Sequence, residues 1–116
     1  MKTDNKTVDI LGRKYKIIFT DSHHDKRIDG YFGLTCSYED EPFILIATST
    51  EDDEETTDFT MRTTLRHELI HAFIHESGLD HCTNNYGSWA VDEQVVEWFA
   101  LQAPKIFALF KELECL

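Results

Sequence analysis

The feature that most constrains this chain is the stretch TTLRHELIHAFIHES, residues 63–77, in which a histidine recurs at every fourth position. An α-helix turns about 100° per residue, so His67, His71 and His75 would share one face of a helix formed here. Glu68 falls in the same sector. Apolar side chains fill most of the remaining surface: Leu65, Leu69, Ile70, Ala72, Phe73 and Ile74. A polar strip on an otherwise apolar helix favours a helix that lines a functional cleft over an amphipathic helix whose polar face is simply exposed to solvent.

Within this stretch, HELIH matches the pattern H-E-x-x-H. Two histidines one turn apart can bind a single Zn²⁺, and the glutamate after the first is placed to act as a general base. The helical rise carries His75 about 12 Å from His67, too far for both to lie about 2.0 Å from one tetrahedral ion. We therefore predict that His67 and His71 are metal ligands, that Glu68 is the catalytic base, and that His75 is structural or on the surface.

A third ligand has to come from elsewhere in the chain. An extended zinc motif with a third histidine would need Gly at position 74 and His at 77, where the chain has Ile74 and Ser77. A following helix offers carboxylates instead. Glu93 lies in the middle of its apolar stripe, where an unpaired carboxylate is costly to bury, and Glu97 lies at the edge. We predict Glu93 as the third ligand and Glu97 as the acceptor of a ligating histidine's outer N–H. The alternative is that Glu97 is the ligand.

The N-terminal half of the sequence predicts strands. Apolar and polar residues alternate on both sides of Gly12, and YFGLTCSY and FILIATS flank an acidic turn that contains Pro42. Residues 1–50 are therefore expected to form two β-hairpins. The segment FILIATS is expected to present an edge to which an extended peptide can add by backbone hydrogen bonds.

The C-terminal half predicts helices. Helical periodicity covers residues 58–78, with Thr57 or Asp58 available as the N-cap. A loop, GLDHCTNNYGS, is expected next. Residues 88–116 predict the glutamate-bearing helix and then a C-terminal helix, with Pro104 at the boundary. Strands followed by helices indicate an α+β fold, with a small antiparallel sheet packed against the helices.

Length and composition limit the classes of function. With 116 residues the chain is expected to form a single domain over 1–116. Its net charge of -11 disfavours nucleic acids and anionic membranes as partners. The sequence contains neither a signal-peptide-like apolar run nor a stretch long enough to span a membrane, so a cytoplasmic location is expected. Three scattered cysteines suggest neither a disulfide framework nor a thiolate zinc site.

Two stretches, RHELIHAFIHESGL and EQVVEWFALQAP, resemble the ImmA/IrrE-type zinc metallopeptidases, in particular the small forms of phages and mobile elements that have no DNA-binding domain. The resemblance covers residues 60–104 well and the hairpins only in outline. It implies a minimal, gluzincin-like zincin domain in the cytoplasm of a bacterial host. It also implies Glu93 as the third zinc ligand, and hydrolysis of a peptide bond, often in a specific repressor.

The expected function is therefore a Zn²⁺-dependent metallopeptidase with a protein or peptide substrate. Tyr86 and His81, in the predicted loop, are candidates for contacts with the substrate or the transition state. The alternative function is an acidic binding or inhibitor protein in which zinc is a structural staple. Glu68 distinguishes the two, because a purely structural site has no need of a base.

Overall fold

The computed structural model describes residues 1–82 and 93–116, apart from the side chains of Cys82, Glu93, Gln94, Val96, Glu97 and Ala100. A short 3-10 helix, Lys26–Ile28, follows the second of four strands. The strands and helices are β1 (Lys6–Ile10), β2 (Arg13–Thr20), β3 (Gly33–Cys36), β4 (Phe43–Ala47), α1 (Asp58–Glu76), α2 (Leu79–Cys82) and α3 (Glu93–Glu112). The fold is α+β, as predicted. Within the described residues, no helix is both long and apolar enough to cross a membrane.

The four strands form one sheet in the order β1-β2-β4-β3. Antiparallel pairing of β1 with β2, and of β3 with β4, confirms both predicted hairpins. The hairpins join through β2 and β4, which run parallel, with Ile17 opposite Ile44. The prediction of an antiparallel sheet was therefore wrong, and the sheet is mixed. The chain after β2 skips one strand position, so that β3 lies at the far edge and β4 fills the gap beside β2.

Strand β4 lies inside the sheet and is buried along its whole length. Ile44 and Ile46 face the core formed with the helices, whereas Phe43, Leu45 and Ala47 pack with Ile28 and its neighbours on the opposite face. A continuous apolar run is typical of a strand covered on both faces. The expectation that FILIATS presents a free edge was therefore wrong. The edges of the described sheet are β1 and β3.

Helix α1 begins and ends at the predicted signals. The Thr57 hydroxyl accepts a hydrogen bond from the Thr60 amide at 3.1 Å, which confirms Thr57 as the N-cap. The last helical residue is Glu76, two before the predicted end, and Gly78 follows with a φ of 80° that favours glycine. The buried face of α1 packs against the sheet through Leu65, Leu69, Ala72 and Phe73.

Helix α3 runs antiparallel to α1. The Trp98 indole donates to the Ser77 hydroxyl at 2.6 Å, and Arg62 donates to the Leu116 carbonyl at 3.0 Å. The helix continues through Pro104, so the prediction of a break and a separate C-terminal helix was wrong. A proline inside a helix removes one backbone hydrogen bond. This loss is offset by the buried face that follows it, formed by Ile106, Leu109, Phe110 and Leu113.

The close approach of α1 to β3 occurs at Gly33. A methyl group at this position would come 2.5 Å from Thr64 Cγ2 and 2.8 Å from Glu68 Cγ. Two residues further along β3, the Thr35 hydroxyl donates to the backbone carbonyl of Glu68 at 3.0 Å. The helix therefore lies directly on the strand, and the strand itself touches the residue predicted to be the catalytic base.

A polar cluster fixes the turn between β3 and β4. The Tyr15 hydroxyl donates to Glu76 Oε2 at 2.5 Å and lies 2.8 Å from Ser37 Oγ. Arg13 binds the same Glu76 oxygen at 3.0 Å, and it donates to the carbonyls of Ser37 and Glu39. Burial, reinforced by the hydrogen bond to Glu76, raises the pKa of Tyr15 to about 12. The cluster connects β2, the end of α1 and the turn that follows β3.

We predict that the Gly33→Ala variant is less stable than the wild type by about 1–3 kcal/mol, because the new methyl group overpacks the junction between helix and strand. The measurement is urea unfolding. Thr64→Ser removes the nearer of the two clashing groups, the Thr64 methyl, so Gly33→Ala/Thr64→Ser should recover part of the loss. Equal stability of Gly33→Ala and wild type would contradict the close packing.

A second prediction concerns the ionisation of Tyr15. Its pKa is raised in the folded protein, so the unfolded chain loses this proton first, and the stability that Tyr15 contributes should be lost as pH rises from about 10 to 12. Titration of phenolate absorbance should show one tyrosine with a pKa near 12. This group should be missing from the titration of Tyr15→Phe. Its persistence in that variant would assign the raised pKa to another tyrosine.

Candidate metal centre

Helix α1 brings the two predicted histidine ligands together. The Nε2 atoms of His67 and His71 lie 3.1 Å apart, and the rings meet edge to face with centroids 4.8 Å apart. Two nitrogens each about 2.0 Å from one tetrahedral ion are separated by about 3.3 Å. Both side chains are exposed. The spacing of the two imidazoles therefore suits two ligands of one ion, on a surface open to solvent.

Glu68 lies beside this pair but is buried, with 6% of its surface exposed. Its Oε2 atom has no hydrogen-bond partner among the residues that the structure describes. Burial raises the pKa of the Glu68 carboxyl, and the neighbouring His71 and His67 partly counteract that shift. The potential ligand atoms of the three side chains lie within 4.8 Å of one another. An unpartnered buried carboxylate oxygen beside two convergent imidazoles fits a divalent cation and a proton acceptor.

These three side chains open into a cleft of about 680 Å³. Helix α1 forms one wall, from His67 to His75, and residues 33–39 of β3 and its following turn form the other. A volume of this size lies within the usual range for ligand sites. Because β3 is an edge strand, the cleft runs along a sheet edge.

The predicted third ligand falls outside the described side chains. Glu93 and Glu97 both lie in α3, in its first two turns, and nothing further is described for either side chain. Tyr86 lies outside the described residues altogether. The assignment of Glu93 as third ligand and of Glu97 as the acceptor of a ligating histidine's outer N–H stays a prediction, and so do the substrate or transition-state contacts of Tyr86 and His81.

His81 does not lie in a loop, as the sequence predicted, but in the short helix α2. There its Nε2 is 3.6 Å from Asp80 Oδ1, and the other Asp80 oxygen is 3.1 Å from His75 Nδ1. Sequence reasoning missed Asp80, and also Tyr38, whose ring packs edge-on against His75 at 4.6 Å. The sequence could have indicated these contacts through Gly78, the glycine that ends the helix, and the Leu-Asp-His that follows it directly. A turn at this glycine brings the next residues back beside the last turn of the helix.

Comparison with known proteins adds no family assignment: no family model matches the chain, and neither a curated protein nor a solved structure matches it significantly. The features that bear on function are therefore His67, Glu68 and His71 and the cleft into which they open.

Proposed function

We propose that this protein is a zinc-dependent metallopeptidase. The observation that carries the proposal is Glu68, a buried carboxylate with an unpartnered oxygen beside two histidine nitrogens 3.1 Å apart. A buried ionisable group with a perturbed pKa in a cleft is typical of catalytic sites. Within the part of the chain that the structure describes, no hydrogen-bond partner of Oε2 accounts for a buried carboxylate at this position.

In this proposal His67 and His71 hold Zn²⁺ together with a carboxylate from α3, for which Glu93 is the candidate. Imidazole nitrogen and carboxylate oxygen are common ligands of catalytic zinc, and three protein ligands leave one position open. When bound, zinc would supply the Lewis acidity that polarises the carbonyl of the scissile bond. The exposure of both histidines supports a site that substrate can reach.

Glu68 is the proposed general base and general acid. Its carboxylate would take a proton from the water that attacks the carbonyl carbon, and it would then deliver that proton to the leaving amine. Burial favours this role because it raises the pKa of Glu68 and so makes the carboxylate a better proton acceptor. Contact with Gly33 and the hydrogen bond from Thr35 fix the helix backbone at this residue.

Strand β3 is the proposed binding edge for an extended peptide, in place of FILIATS. It is an edge strand and forms a wall of the cleft, so its outward-facing backbone groups lie along the path of a substrate. Tyr31 and Phe32, which precede the strand, are 61% and 52% exposed and offer apolar contacts at the rim. These features support a flexible segment of a protein as the substrate.

We predict that Glu68→Gln keeps its zinc but loses about 10²–10⁴-fold in the rate of peptide hydrolysis, because the base is removed and the ligands remain. The measurements are metal content and cleavage of a peptide library. Glu112→Gln, which changes an exposed glutamate on α3, is the matched control and should behave as wild type. Undiminished hydrolysis by Glu68→Gln would exclude the catalytic role. It would favour the alternative, an acidic binding protein in which zinc only stabilises the fold.

The third ligand is tested by metal analysis of Glu93→Ala beside Glu97→Ala. We expect Glu93→Ala to lose zinc, because one of three ligands is removed, and Glu97→Ala to keep it with about 10–100-fold weaker affinity. Circular dichroism checks that both variants are folded. Retention of zinc in Glu93→Ala with loss in Glu97→Ala would reverse the two assignments.

A further inference from the structure

A second group of potential ligands lies at the far end of α1, and it shares no residue with the first. It consists of His75, Asp80 and His81, whose ligand atoms all lie within 4.8 Å of one another. His75 Nδ1 is 3.1 Å from one Asp80 oxygen, and His81 Nε2 is 3.6 Å from the other. Each oxygen of a single carboxylate is therefore directed toward a different imidazole.

The local fold brings these residues together. Gly78 ends the turn after α1 with a φ of 80°, and its amide donates to the His75 carbonyl at 3.0 Å. Helix α2 then begins immediately, and its first residue, Leu79, is buried. Because Leu79 anchors α2 in this way, Asp80 and His81 lie back beside the last turn of α1. The arrangement is thus built by the backbone and not by long, freely rotating side chains.

The imidazole of His75 is held in place from the other side. Its side chain is only 17% exposed, and the ring of Tyr38 packs against it edge-on. Tyr38 belongs to the turn that Arg13 holds through the carbonyls of the residues on either side, Ser37 and Glu39. His75 is therefore preorganised and would lose little conformational entropy on binding a metal ion, whereas the His81 side chain, 65% exposed, would have to be ordered.

We propose that His75, Asp80 and His81 form a second metal site, for a borderline divalent cation such as Zn²⁺. Two imidazoles and one carboxylate suit zinc, nickel or copper, whereas calcium and magnesium prefer an all-oxygen set. An ordinary ion pair needs only His75 and Asp80. It does not involve His81, whose Nε2 lies beyond normal hydrogen-bond distance from the second carboxylate oxygen and whose ring meets that of His75 edge to face, with centroids 5.8 Å apart.

A cation at this site would cross-link α2 to α1. His75 and Asp80 also line the 680 Å³ cleft, one helical turn from His71, so the ion would lie at one end of the proposed substrate path. The site uses none of the residues proposed to hold the catalytic zinc or to act as the base. Its existence can therefore be tested whether or not the protein is a peptidase.

The test is titration of the chelator-treated full chain with Zn²⁺, followed by calorimetry. We expect wild type to bind two equivalents and His67→Ala/His71→Ala to bind one. Adding His81→Ala to that double variant should weaken the remaining site by at least about tenfold. Co²⁺ absorption spectra should show nitrogen and oxygen ligation in the double variant, and Zn²⁺ should raise its melting temperature.

The matched control is His24→Ala. His24 is also an exposed histidine 2.8 Å from an aspartate, Asp21, but no third ligand accompanies this pair within the described residues. This variant should still bind two equivalents. The proposal is overturned if folded His67→Ala/His71→Ala binds no zinc, or if His81→Ala on that background binds as tightly as its parent. A failure of Glu68→Gln to lose hydrolysis would leave both outcomes unaffected.

Discussion

The contact between α1 and β3 at Gly33 is the constraint on which the candidate site depends. With no side chain at this position the helix lies directly on the strand, and the Thr35 hydroxyl reaches the backbone of Glu68. Glu68 is consequently buried, while His67 and His71, on the same face, remain open to the cleft. One close contact thus separates two environments on a single helix turn: a shielded one for Glu68, the proposed proton acceptor, and an accessible one for the two proposed metal ligands.

The burial of Glu68 is by itself unfavourable for the stability of the folded protein. A carboxyl whose pKa is raised by burial binds its proton more tightly in the folded protein, so the stability it contributes is present at low pH and is lost as pH rises through its titration range. The ionised form of Glu68 therefore opposes folding. A cation bound to the native state by His67 and His71 would offset this, because it would stabilise the native state and attract the charge. Such a conflict between stability and chemistry is common at functional sites.

The sequence predicted those parts of the structure that depend on local spacing. The side chains of His67, Glu68 and His71 come together because they lie within one helix, and the two hairpins and the Thr57 cap follow from short-range patterns. Long-range features were not predictable in this way. The parallel pairing of β2 with β4 joins strands distant in sequence, and it converts FILIATS from an expected edge into the centre of the sheet. Pro104 remains helical because of tertiary packing that no local rule contains.

The parallel pairing of β2 with β4 also has a consequence for the order of folding. Each hairpin is stabilised by contacts between neighbouring segments and can form early. The cleft lies between α1 and the β3–β4 hairpin, whereas the apolar core on which α1 packs takes side chains from both hairpins. Pairing between distant strands is slow, because the intervening chain has to be closed into a loop first. The step that completes the sheet therefore also completes the core on which α1 packs, and since α1 is one wall of the cleft, the cleft would take its final shape only when the slowest backbone contact has formed.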